Sequence, residues 1–195
     1  MDANKDKRFG AFWDLWNRLP RRDHAFLPCR QDLSSAEMAP FLPRMGIAEW
    51  HGTMNLFMTF FGSEIEKMSG ANLHQRNFYD FLDPNLRDPM KRFHNVIFNT
   101  PCGAYVGEVL TVDNGQNYLF ENIQVPVIGK SGQPDVLLIY AHARTTIPHG
   151  PLRKQASSTA STIRDFHYID LGGGAPDFAM ENHKPTRIVR GEDRP

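Results

Sequence analysis

Between residues 9 and 19, apolar side chains return every three or four positions: Phe9, Phe12, Trp13, Trp16 and Leu19. That period puts them on one side of an amphipathic helix, where they build a broad aromatic stripe. Pro20 follows, and its ring and missing amide cannot continue the helix. A stripe this apolar does not stay in water, so it packs on the domain core, on a second copy of the chain, or on both. Ser34 and Glu37 then form a capping box that opens a short helix reaching about Phe41, closed by Pro40 and Pro43.

From residue 44 the period shortens to that of strands. Residues 44–50 read as a first strand with Met45, Ile47 and Trp50 inward, and Leu56-Phe-Met-Thr-Phe-Phe61 as a second. The turn signal His51-Gly-Thr-Met-Asn55 between them makes the pair a hairpin. Gly62 breaks the strand, Ser63 caps a short helix over 64–68, and Gly70 suits its left-handed C′ position. A brief helix covers 78–82. The longest helical pattern, 85–99, turns Met90, Phe93, Ile97 and Phe98 inward.

Three long strand patterns follow, over 104–112, 118–128 and 136–143. Asp113-Asn-Gly115 joins the first two as a tight hairpin, and Gly129-Lys-Ser-Gly132 joins the last two. Pro126 hints at an edge or a bulge. The apolar run of the last strand suits a central position, buried on part of both faces. The elements predict an α+β fold: a five-stranded antiparallel sheet with short helices on one face, cupped around an apolar pocket. After Ile147, Gly, Pro, Ser and charged residues dominate, which predicts a mostly flexible tail with one island, residues 163–171, docked on the domain.

At 195 residues the chain is long enough for one domain with a core, and its 41% hydrophobic content is that of a globular protein. The 22 basic residues balance the 22 acidic ones, which removes the electrostatic reason to expect nucleic acid as a partner. Cys29 and Cys102 stand alone and predict neither a disulfide framework nor a metal site. The polar N-terminus has no apolar signal segment, and no run nears the roughly 20 apolar residues of a membrane helix. The expectation is a cytoplasmic protein without a membrane partner.

Several segments resemble the stand-alone PAS proteins of alphaproteobacteria, long filed as a domain of unknown function. Trp13-x-x-Trp16 with Leu19-Pro-Arg-Arg-Asp23 is similar to that family's opening, and Phe41-Leu-Pro43 to its segment before the first strand. Phe61-Gly-Ser-Glu-Ile-Glu-Lys-Met-Ser-Gly-Ala-Asn-Leu73 resembles its glycine, short helix, glycine pattern. Phe120-Glu-Asn-Ile-Gln-Val-Pro-Val-Ile128 resembles a strand with an apolar-Pro-apolar step, and Tyr168-Ile-Asp-Leu-Gly-Gly-Gly174 a tail motif. The resemblance implies a PAS fold over residues 46–145, with 1–45 as an N-terminal helical extension and 146–195 as the tail. It also implies a sensory module that signals through a regulatory protein partner and forms a homodimer.

The candidate chemistry centres on the cup. Phe57, Met58, Phe60, Met68, Phe78, Tyr105, Tyr118 and Tyr140 are the expected lining of a pocket for a small apolar ligand, or its core filling. Phe9, Phe12, Trp13 and Trp16 are the expected dimer or partner contact. His94 lies on the long helix, and the resemblance implies that haem-binding PAS domains hold their iron by a histidine on the corresponding helix, with a surface or hydrogen-bonding histidine as the plainer reading. A flavin–cysteine adduct needs a thiol between Gly62 and Leu82, and neither cysteine is there; a flavin held without an adduct stays open. An enzyme on a cup-shaped fold, a small lyase or isomerase, needs an acid–base pair, for which Glu108 and Glu121 are the strand candidates. The Gly172-Gly-Gly174 run lacks the Lys-Ser/Thr of a phosphate loop, and no histidine pair has chelating spacing.

Overall fold

The computed structural model describes residues 7–69, 71–82, 84–112, 117–145 and 158–176. Gly70, the turn at 113–115, and tail residues 146–157 and 177–195, all given expectations above, lie outside the described residues. Helix α1 (Lys7–Arg18) leads into a loop and a one-turn helix α2 (Ser35–Met38). Ser34 caps α2 by accepting the Glu37 amide at 3.2 Å, and its hydroxyl donates to the Glu37 carboxylate. Strands β1 (Met45–Trp50) and β2 (Leu56–Phe61) form the expected hairpin. Helix α3 (Ser63–Ser69), a 3-10 turn (Phe78–Phe81) and helix α4 (Pro84–Asn99) then cover the sheet, and the two-residue strand β3 (Arg76–Asn77) between them pairs with β2 at its edge. Three long strands follow, β4 (Gly103–Val112), β5 (Asn117–Ile128) and β6 (Pro134–Thr145), and then β7 (Ser158–Ile169).

The sheet has seven strands in the order β3-β2-β1-β6-β5-β4-β7, rather than the five expected. Its five-stranded centre is the expected one, with β6 in the middle. The addition of consequence is β7, which pairs along β4 from Gly103↔Ile169 to Val112↔Ser158. The segment 158–169 was read as tail and docked island because its first half, Ser-Thr-Ala-Ser-Thr, carries no apolar alternation. An edge strand needs only a ladder on one side, and β4 supplies it. Pro126 lies beyond the last β4–β5 pair, Ala104↔Gln124, and just before the register shift at Val127/Ile128.

Both faces of the sheet are buried, each under a different set of helices. Alternation along β1, β5 and β6 sends Met45, Ile47, Ile123, Val125, Leu138 and Tyr140 to one face, where α1 covers them. The other face carries Ala48, Leu137 and Ala104, under Phe93, Ile97 and Phe98 of α4. Phe9, Phe12, Trp13 and Trp16 are therefore spent inside the chain, at 0–6% exposure, which is the core packing the stripe's period allowed and leaves little of their surface for a dimer or partner contact. Phe12 stacks on Tyr140 with centroids 5.1 Å apart, and Phe9 meets Tyr105 and Tyr140 edge-on. Gly62 lets the chain turn from β2 into α3 beneath the preceding loop, since a Cβ there would lie 2.2 Å from the Leu42 carbonyl oxygen.

Truncating Phe12 removes a ring buried against Tyr140 of the sheet and Phe41 of the loop before it. Phe12→Ala should cost about 3–5 kcal/mol of stability in urea titration. Any dependence of the midpoint on protein concentration should be the same in wild type and variant; a dependence that Phe12→Ala abolishes would return the aromatic stripe to a dimer contact.

Candidate functional site

The cup lies between α4, α3 and the 3-10 turn on one side and the sheet on the other. The eight expected lining residues do not come together in it. Met58 and Phe78 pack in the cup, and Met68 packs at its end against Ile65 and Phe120. Tyr118 is buried and shares the cup-side alternation of β5 with Phe120. Tyr105, Tyr140 and Phe60 belong to the opposite face, under α1, and Phe57 stands half-buried beside His51 on the hairpin. The alternation of strands explains the split. Residue type marked these side chains as buried, but only register says on which face.

His94 is inside the cup, not at the surface, with 1% of its area exposed. It sits one position from Phe93 on the inward side of α4, so the ring enters the core beneath the 3-10 turn. Its Nδ1 lies 2.8 Å from the Tyr79 hydroxyl, which also donates to the Met90 carbonyl at 3.2 Å. The rings of Trp50, Phe78, Tyr79 and Phe93 surround the imidazole, with centroids 4.9–6.1 Å away. Burial keeps the imidazole neutral by pulling its pKa down to about 3, and pushes the Tyr79 phenol upward. These residues do not fit a haem. A porphyrin approaching His94 would meet close-packed rings on the positions it must occupy.

A second polar pair lies on the cup floor. Asn122 and Gln124 are 4% and 8% exposed, and the Gln124 amide donates to Asn122 Oδ1 at 3.0 Å. Sequence reading passed over both, although the polar-apolar alternation of Asn122-Ile-Gln-Val125 was a usable signal that β5 points amides into one core. Cys102 is also in the cup, fully buried, with its thiol pushed up to about 11 by burial, so it stays protonated.

The opposite face has its own charge cluster. Glu121 is 1% exposed beneath α1, ion-paired with Arg8, accepting from the Tyr105 hydroxyl at 2.7 Å, and 3.4 Å from Arg144. Burial raises its pKa, but the hydrogen bonds from Arg8 and Tyr105 and the charges of Arg8 and Arg144 outweigh that and hold it below the usual carboxylate range. Glu121 pairs across the sheet with Gly107, whereas Glu108 pairs with Phe120, so the two carboxylates point to opposite faces. They do not form an acid–base pair. On this face a cleft of about 820 Å³ opens where α1 leaves the β1–β2 end uncovered, floored by Ile47, Phe60 and Val136 and walled by Cys29, Leu33 and Met38.

The Gly172-Gly-Gly174 run is a packing turn. Asp170 Oδ1 accepts the amides of Gly172 and Gly174 at 2.7 and 2.8 Å, and the ring of Phe26 lies against Gly172 and Gly173. Gly172 has φ +115°, and a Cβ there would come within 2.8 Å of the ring. Among the described residues no group of three or more His, Cys, Asp or Glu is placed to hold a metal, and no helix is long and apolar enough to cross a membrane.

His94 should make the fold acid-sensitive. Its pKa falls from 6.5 to about 3 on folding, so between those values the unfolded chain holds the extra proton. Stability is full above pH 6.5 and is lost as pH drops toward 3. The loss by pH 5 should be about 2 kcal/mol, measured by urea unfolding at pH 7 and pH 5. His94→Gln should flatten that difference; an unchanged pH slope in the variant would assign it to other groups.

No curated protein matches the chain. Among solved structures it is similar to a sensory box histidine kinase/response regulator from Burkholderia thailandensis E264, at 12% identity over 57% of this chain and 86% of that one. The TM-score of 0.35 makes that likeness too loose to carry an argument. A family model described as the PAS domain matches residues 4–140, which takes in the course of the chain from α1 to the middle of β6. A match over that length includes the aromatic helix within the family's bounds as well as the cup, and the chain belongs to the PAS domain family.

Proposed function

We propose that the chain is a sensory module that holds a small ligand in its cup and reports occupancy through contact with a regulatory protein or a second copy of itself. Membership of the PAS family supports the sensory role. The observation that carries the ligand is the polar content of the cup. Tyr79, His94, Asn122 and Gln124 are buried among Ala48, Leu137, Phe93 and Ile97, where aliphatic side chains would pack at lower cost. A buried amide or imidazole costs desolvation that a hydrogen bond only partly returns, so groups of this kind are kept where they have a recognition task.

The output surface in this reading is the cleft beside the β1–β2 hairpin. The hairpin supplies Ala48 and Met58 to the cup and Ile47 and Phe60 to the cleft, so a shift of these strands is felt on both sides. The cleft rim carries Arg30 and Lys130 along with Asp23 and Glu49, which suits a polar rim around an apolar contact.

Native mass spectrometry of the purified full chain, with an absorbance scan, tests the reading. We expect extra mass that is released on denaturation, and addition of the released compound should change the oligomeric state or partner binding. A bare chain whose assembly responds to no extract from its host cells would overturn it.

A further inference from the structure

The described residues end at Pro176, beside the cleft on the α1 face. After β7 the chain crosses to that face, where Leu171 packs on the core under α1. Asp170 Oδ1 holds the amides of Gly172 and Gly174, and the ring of Phe26 lies against Gly172 and Gly173. Phe26 opens the segment that forms one wall of the cleft. Pro28 accepts the Ile128 amide at 3.0 Å, Cys29 bridges to Ile128, and the Cys29 thiol donates to Asp23 Oδ2 at 3.1 Å. Phe26 to Cys29 is about 10 Å of chain at full extension. The glycine turn therefore hands the chain on at the lip of the cleft.

Between Gly174 and Ile188 the only large apolar side chains are Phe178 and Met180. Two positions apart, they leave an extended chain on the same side. Phe178 lies four residues beyond Gly174, a reach of about 14 Å. The cleft offers the pair a floor of Ile47, Phe60 and Val136 and about 820 Å³ of room.

Charge sets the direction. Arg30 and Lys130, on the near wall, follow the Cys29–Ile128 bridge by one and two residues, and Asp177 and Glu181 flank the apolar pair of the tail. Glu49 stands two strands further on, in β1, and the tail continues with Lys184, Arg187 and Arg190. Acid then base along the tail meets base then acid across the cleft, for a segment that enters beside Phe26 and runs toward β1.

We infer that residues 177–190 of this chain dock in the cleft, with Phe178 and Met180 on its floor, and so compete with any partner for the proposed output surface. The regulatory meaning rests on that proposal; the docking does not. A segment tethered this closely meets the cleft at an effective concentration in the millimolar range, so a weak contact keeps it covered until a tighter partner displaces the tail.

A spin label on the full chain tests the docking. Cys29 and Cys102 are buried, so the label is placed through Asn182→Cys and methyl resonances are followed by NMR. Leu33, Met38 and Ile47 should broaden strongly, and Met58 and Leu137 of the cup weakly. Phe178→Asp combined with Met180→Asp should relieve the broadening at least several-fold. No broadening, broadening spread evenly over both faces, or broadening that the double substitution leaves unmoved overturns the inference. So does broadening that arises only between labelled chains and separate isotope-labelled ones, which would seat a second copy's tail in the cleft. The label is read without ligand or partner, so a bare and unresponsive cup, the result that sinks the sensory reading, leaves the docking standing.

Discussion

The double burial of one sheet governs this fold. The middle strands, β5 and β6, alternate between two cores: Ile123, Val125, Leu138 and Tyr140 face α1, and Leu137, Ile139, Asn122 and Gln124 face the cup. Neither face survives in water alone, and each is covered by helices from a different part of the chain, α1 before the first strand and α4 between β3 and β4. The helix α1 therefore acts as a wall of the domain. Its five buried side chains complete the sheet in the same sense that α4 does. That requirement also explains why the family match starts before α1 and not at the first strand.

Polar groups within these cores tie helices to the sheet. Arg8, in the first turn of α1, reaches the buried Glu121, which Tyr105 and Arg144 also hold, so one carboxylate collects partners from α1, β4 and β6. The Tyr79–His94 contact ties the 3-10 turn to α4 in the same way. A half-made network of this type costs more than an apolar replacement, so its members fix how each helix sits. Asn122 and Gln124 differ. They satisfy each other in part and leave an amide oxygen over, and that residue of unmet bonding distinguishes the cup from ordinary core.

The elements were legible in the sequence because their signals are local. The 3.6-residue period of α1, the hairpin at 51–55, the Ser34–Glu37 cap and the three long strands all depend on neighbours in the chain; the ends of α1 and the strands fall within two residues of expectation, while the capped helix stops at Met38 and not near Phe41. What the sequence concealed was long-range. Assigning Tyr105, Tyr140 and Phe60 to the cup required the register of β4, β6 and β2, including the irregularity at Ile47/Ala48 that sends Met58 and Phe60 to different faces. The strand β7 was invisible for a related reason: Ser158 to Thr162 become a strand through the ladder offered by β4, not through their own propensity. His94 looked like a helix-surface residue because Phe93 beside it was the clearer core position, and only the Tyr79 hydroxyl makes its burial tolerable.

The claim that α1 and α4 wall off a single shared sheet is open to a direct test by hydrogen exchange of the backbone amides in the full chain. If it holds, the amides of Phe12 to Trp16 in α1 exchange only with the global opening that also releases Ile123 to Val127 and Leu137 to Ala141, giving one common protection level. Exchange in α1 that is orders of magnitude faster than in β5 and β6 would contradict it. The helix would then be a detachable flap, and the α1 face of the sheet a surface the domain can expose.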